Sequence, residues 1–276
     1  MVTKKFNPGK TIVVVLMILL LIIVLYPFLW LIVSTFKVDT DIVKYPPTFF
    51  GTQFTFSSYV KVWQSIPLLD FLMNTVIFSG AVTVTSILFD SMAGYAFARF
   101  NFKGKNFLFT TVLITMMIPF QVVMIPLFIE VFKLGVLNTY AGLILPRMAD
   151  AFGIFLMRAA FLSLPKELEE AARMDGCNEF QIFFKIMFPL CIPAVITLGI
   201  INLMGNWNDL LYPLMLTSTT NMRTISAGLA MFVGQRTLEY GPTLAAAAIA
   251  LLPLIVIYIF AQKYFVQGIA TTGLKG

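Results

Sequence analysis

The sequence predicts an all-α integral membrane protein with six transmembrane helices and a short cytoplasmic helix between the fourth and fifth spans. Three observations carry that prediction. Of 276 residues, 59% are hydrophobic and only 12% charged, with a mean hydropathy of +0.91, whereas soluble domains carry roughly a quarter charged residues. Several apolar runs exceed the ~20 residues that a helix needs to cross ~30 Å of hydrocarbon. None shows the short alternating segments of a membrane barrel. Between the spans there is no room for a soluble domain of ~100 residues, so 1–276 reads as one transmembrane domain and any catalytic domain must belong to another chain.

The first span, 11–36, follows a short basic segment and imitates a secretion signal. Its apolar run is too long for one, and no small-residue cleavage site closes it, so it reads as a retained helix. The second to sixth spans are expected at about 71–98, 107–132, 140–161, 188–217 and 243–264. With the N-terminus in the cytoplasm, Lys4, Lys5, Lys10, Arg99, Lys103, Lys105, Arg158, Lys166, Arg173, Lys185, Lys263 and Lys275 fall inside, 12 of the 19 basic residues. That bias follows the positive-inside rule and places both termini in the cytoplasm. The net charge of +6 is dispersed over short loops, which fits membrane orientation and not a nucleic-acid surface.

Two outer connections are long, 37–70 and 218–242, and each is either a docking surface or a solvated loop. The inner connection 163–185 differs. Pro165 suits a first helical turn after Ser163, and Glu167, Glu169 and Glu170 then meet the positive end of the helix dipole. A glycine turn at Gly176 ends this surface helix. The two cysteines, Cys177 and Cys191, lack the close pairing of a metal site and read as packing residues.

Histidine is absent, which removes histidine-based catalysis and histidine-ligated metal sites. Gly9-Lys10-Thr11 imitates the end of a phosphate loop, but Lys4 stands where the first glycine is required and no strand precedes it. Within the spans, acidic residues need a reason. Asp90, with Ser86 and Thr83 at helical spacing, reads as an inward-facing ion pair with a basic side chain of another helix. Gln121 and Met124, between Pro119 and Pro126, are candidates to line a pathway beside a kink, with packing as the alternative. On the fifth span Asn202, Asn206, Asp209 and Pro213 are spaced four, three and four residues apart, so one continuous helix displays them along one face. Such a stripe belongs in the bundle interior.

The stretch Glu170-Ala171-Ala172-Arg173-Met174-Asp175-Gly176, followed by Ile186, Pro189 and Pro193, resembles the EAA loop of permease subunits from ATP-binding-cassette importers. Similarity extends to the carbohydrate branch, of the maltose type (type I), through Ala93-Gly94-Tyr95-Ala96-Phe97-Ala98-Arg99-Phe100, Leu137-Asn138-Thr139-Tyr140, Asn206-Trp207-Asn208-Asp209 with Pro213, and the tail from Gly268 to Gly276. It covers nearly the whole chain. The resemblance implies a sugar permease in a prokaryotic cell membrane that pairs with a second, homologous permease, two ATPase subunits and an extracytoplasmic sugar-binding protein. ATP and Mg would bind the ATPases and no cofactor this chain. Glu170, Ala171, Ala172, Asp175, Gly176, Ile186 and Pro189 would couple to the ATPases, with the Lys275 and Gly276 tail a further contact.

For the fifth-span stripe the resemblance implies a sugar path, in which amides and a carboxylate satisfy hydroxyls while Trp207 or Tyr212 covers an apolar sugar face. Asn202 and Asn206 bonding to the second permease is the alternative. A secondary transporter driven by an ion gradient is the rival function, but such folds carry internal repeats and coupling charges, and no convincing repeat is present. A membrane-bound receptor or scaffold is a third reading, against which the lack of a sizeable extramembrane domain speaks.

Overall fold

The computed structural model describes residues 8–235 and 240–272, with side chains described for 9–231 and 240–259. It is helical, with no strand among the described residues. The basic residues Lys4 and Lys5, and the tail expectation at Lys275 and Gly276, lie outside the described residues.

Three helices are each long and apolar enough to cross a membrane alone: Gly9–Ser34, Leu68–Arg99 and Tyr240–Ile259. Three further segments qualify only as bent pairs. Lys105–Thr115 and Phe120–Lys133 meet at 102°, Tyr140–Arg147 and Ala151–Leu162 at 44°, and Glu179–Leu190 and Ile192–Asn208 at 78°. Each expected span from 107–132 to 188–217 is therefore broken where one helix was expected. Proline stands at or beside each break, where it lacks an amide donor for the helical ladder. Pro119 is extended at φ −61°, ψ 137°, Pro146 lies in the turn Leu145–Arg147, and Pro189 and Pro193 flank the break at Cys191.

The chain divides into two compact units, 1–68 with 231–252, and 69–230 with 253–276. In the first, the Pro8–Ser34 helix is apolar all round and its spanning window is not buried against the chain, as expected of a helix that meets lipid or another subunit. The connection after it is ordered by its own side chains. Thr52 donates both its amide and its hydroxyl to Asp41, at 2.6 and 2.7 Å, holding that carboxyl below its ordinary pKa. Phe36 stacks on Phe54 with centroids 4.8 Å apart. Asp39 accepts from the Gly241 amide at 2.8 Å. The 37–70 connection thus has partners within its own unit.

The second unit is organised around the Leu68–Arg99 helix, whose Phe78, Val82 and Tyr95 are buried. One core joins Phe78 and Val82 to Val131, Leu143, Tyr212 and Leu216. Another joins Tyr95 to Met157, Phe161, Ala172, Ile182, Phe183 and Met187. Gly94 is required between these helices, because a Cβ there would stand 2.8 Å from the Arg158 amide nitrogen and from Met157 Cβ. Small residues that let helix backbones approach are a main source of association in a membrane.

Candidate functional site

The breaks in the 140–162 and 192–216 segments bring their polar residues together. Thr139 caps the Tyr140–Ile144 helix by accepting from the Gly142 amide. After the turn at Pro146, Asp150 caps Ala151–Leu162 by accepting from the Gly153 amide at 3.3 Å. The Ile192–Asn208 helix ends at Asp209, which is extended at φ −66°, ψ 128°. Its Oδ1 accepts from the Tyr212 amide at 3.2 Å as Leu211–Leu216 begins. The expected continuous stripe is corrected here: Asn202 and Asn206 lie on one helix, and Asp209 and Pro213 lie beyond its end.

What gathers the stripe is Arg147. Its Nη1 donates to Asn206 Oδ1 at 2.8 Å and its Nη2 lies 2.6 Å from Asp209 Oδ2. The guanidinium carbon sits 3.9 Å from the Tyr212 ring centroid and 5.6 Å from that of Phe120. Tyr212 is itself fixed, donating to the Leu143 carbonyl at 3.0 Å. Asn206 Nδ2 donates to the Asn202 carbonyl at 2.8 Å, and Asn202 Nδ2 donates to Ser86 Oγ at 2.9 Å. Ser86 in turn donates to Asp90 Oδ2, whose Oδ1 accepts from the Asp150 amide at 2.8 Å. Asp90 is therefore held by a hydroxyl and a backbone amide, not by the basic side chain expected for it. Helix breaks expose donors that a carboxylate satisfies without a countercharge.

An open cavity of about 410 Å³ adjoins Arg147 and is lined also by Phe120, Val123, Pro126, Leu127, Glu130, Pro146 and Tyr212. Gln121 is exposed, Met124 half-buried, and neither lines this cavity. Trp207 and Tyr212 are 2% and 0% exposed, and Tyr212 borders the cavity with Arg147 over its ring, so neither aromatic expected against a ligand presents an open face to it. Sequence reasoning missed Arg147, which it had counted among the outer basic residues. The signal was available, since a guanidinium inside an apolar span is as costly as the Asp90 carboxylate that was noticed.

The second site is the surface helix Glu167–Met174, which begins after Lys166, so Pro165 precedes it instead of entering its first turn. Gly176 adopts φ +82°, the left-handed conformation that ends helices and favours glycine. Asn178 and Gln181 then form a reciprocal capping box. Glu170, Ala171 and Asp175 are exposed, and Met174 is 89% exposed.

Ala172 and Ile186, among the expected coupling residues, pack inward. Ala172 is 4% exposed and lies in its own chain's core with Tyr95, Phe161 and Phe183, so of the two alanines only Ala171 is exposed. Ile186 packs on the same core and Pro189 is exposed. The inward anchor is Glu169, whose Oε1 lies 2.9 Å from Arg99 Nε, both side chains being nearly inaccessible. Arg99 also donates to the Leu164 carbonyl at 2.7 Å. Burial raises the Glu169 pKa, with Arg99 and then Arg173 pulling it back down.

With both sites in place, the chain can be set beside known proteins. Residues 90–271 match the family described as binding-protein-dependent transport system inner membrane component. The chain belongs to this family. The permease is similar to the arabinooligosaccharides transport system permease protein AraQ of Halalkalibacterium halodurans, 38% identical over 255 residues that cover 91% of each chain. It is also similar to the lactose transport system permease protein LacG of Rhizobium radiobacter, 33% identical over 88% of this chain and 89% of that one. Among solved structures it resembles a chain of a bacterial ABC transporter involved in the import of the acidic polysaccharide alginate. The TM-score is 0.82 at 25% identity, covering 95% of this chain and all of that one. The permease is thus an inner-membrane component of an ABC importer, and transport, not catalysis, is the work of its family.

Proposed function

We propose that this permease carries a sugar, forming half of a translocation pathway with a second, homologous permease, and that it is driven by two ATPase subunits which hold the ATP and Mg. The observation that supports this reading best is the Arg147, Asn206 and Asp209 cluster beside the cavity, in a chain 38% identical to a sugar-system permease over 91% of both lengths. Polyhydroxylated ligands need fixed donors and acceptors next to an apolar face, which Arg147, Glu130 and Phe120 supply at this cavity.

In this reading the single domain 1–276 crosses the membrane six times, each bent pair counting once, with both termini cytoplasmic. An extracytoplasmic sugar-binding protein delivers the substrate. The Glu167–Met174 helix receives force from the ATPases through Glu170, Ala171 and Met174, and Gly176 sets its turn back to the membrane. The Glu169 and Arg99 pair transmits that force to the Leu68–Arg99 helix. Uptake of labelled oligosaccharide by cells expressing the complete system tests the function. Uptake that stops on ATP depletion and survives a proton uncoupler is expected, whereas uptake abolished by the uncoupler at normal ATP would assign the chain to gradient-driven transport.

A further inference from the structure

We infer that the cavity beside Arg147 selects uncharged glycans and rejects acidic ones, an inference that rests on the sugar-path reading above. Family membership leaves the charge of the cargo open, since the similar proteins include a lactose permease and a chain from an importer of the acidic polysaccharide alginate.

A lone arginine in a sugar cavity would suggest recognition of carboxylate or sulfate, because its planar fork matches those groups. Here two of its five donors are taken and its charge is matched by a carboxylate. Nη1 donates to Asn206 at 2.8 Å, Nη2 is 2.6 Å from the Asp209 carboxylate, and one face of the guanidinium covers the Tyr212 ring at 3.9 Å. Glu130 brings a second carboxylate to the lining. Two formal negative charges therefore accompany one positive charge, so a uronate entering the cavity meets an arginine already neutralised by Asp209 while approaching Glu130. Unpaired like charges of this kind discriminate by repulsion. A neutral sugar meets no such barrier: its hydroxyls donate to Glu130, and its apolar face rests on Phe120. Asp209 is thus a specificity-determining residue, and its function is to keep Arg147 from binding anions.

The test uses the permease assembled with its partner permease and ATPases in lipid nanodiscs, without the binding protein, so that delivery does not decide the result. Saturation-transfer NMR compares maltotriose and arabinotriose with trigalacturonate at matched concentration. The wild-type complex should saturate a neutral trisaccharide, and its trigalacturonate signal should be weaker by about tenfold or more. Asp209→Asn preserves the side-chain shape and the acceptor for the Tyr212 amide, and should raise the trigalacturonate signal about tenfold. Should that variant fail to assemble, Glu130→Gln carries the same expected direction. Equal saturation of neutral and acidic sugars by the wild type would overturn the selectivity inference alone, as would an assembled variant with an unchanged ratio. Absence of saturation by any of the three sugars would instead overturn the sugar-path reading and this inference with it.

Discussion

Arg99→Leu strips the Glu167–Met174 helix of its inward anchor and is expected to be among the most damaging substitutions in the protein. The Arg99 and Glu169 side chains are 3% and 6% exposed, so the variant leaves a buried carboxylate with only the longer 3.6 Å contact to Arg173. Removing one partner of a buried ion pair costs about 3 to 5 kcal/mol, and the Leu164 carbonyl loses its donor as well. Thermal unfolding in detergent should show the loss, and limited proteolysis should cut first near 163–185. The effect has a defined pH dependence. Arg99 lowers a Glu169 pKa that burial raises, so removing it lets that pKa rise further. A group whose folded pKa lies above its unfolded value loses its stabilising contribution as pH rises through the folded pKa. The variant should therefore be weakest at alkaline pH and recover as acid protonates Glu169. A pH-independent loss would show that Glu169 is not the group left stranded.

Asp90→Ala is the second large expected effect, and it acts at the break in the 140–162 segment. It removes the acceptor for both the Ser86 hydroxyl and the Asp150 amide, and a buried donor left without a partner costs about 1 to 3 kcal/mol. Because Ser86 also accepts from Asn202, the loss should spread to the Ile192–Asn208 helix. Asp90→Asn retains an acceptor oxygen and should be milder. Thermal unfolding of both variants checks this order. Were Asp90 instead paired with a basic side chain, Asn would be nearly as damaging as Ala, since it too lacks the charge.

The helical membrane class was legible because composition and run length report directly on the solvent of the chain. The position of the surface helix was legible because Glu167, Glu169, Glu170 and Gly176 obey end rules that act within one or two turns. Breaks were harder. Pro119 and Pro126 announced a kink, but the 102° turn depends on what each half packs against, which local pattern does not encode. The same limit explains the fifth-span stripe: helical spacing correctly grouped Asn202 with Asn206, and failed at Asp209, where the chain becomes extended to cap the next helix.

Ala172 shows the limit in another form. Adjacent alanines in a surface helix point in directions about 100° apart, so one faces outward and the other inward, and only the position of Tyr95 and Phe161 decides which. Arg147 was passed over for a different reason. Counting basic residues by side of the membrane treats each as a solvated charge, whereas Asn206 and Asp209, some sixty residues later in the chain, bond this one within the protein.

In the proposed function ATPase force enters at the Glu167–Met174 helix and moves sugar through this chain. The most direct measurement is the number of oligosaccharides imported per ATP hydrolysed by the complete importer in proteoliposomes, for wild type and for the double variant Glu170→Ala, Gly176→Val. In the proposed coupling Glu170 would meet a basic residue of the ATPase, and truncating one member of a buried charge pair costs about 2 to 5 kcal/mol, while a β-branched residue at φ +82° adds backbone strain. Sugar imported per ATP should fall more than about tenfold, or the ATPases should be lost from the purified complex. A fully assembled double variant with wild-type sugar import per ATP would contradict it.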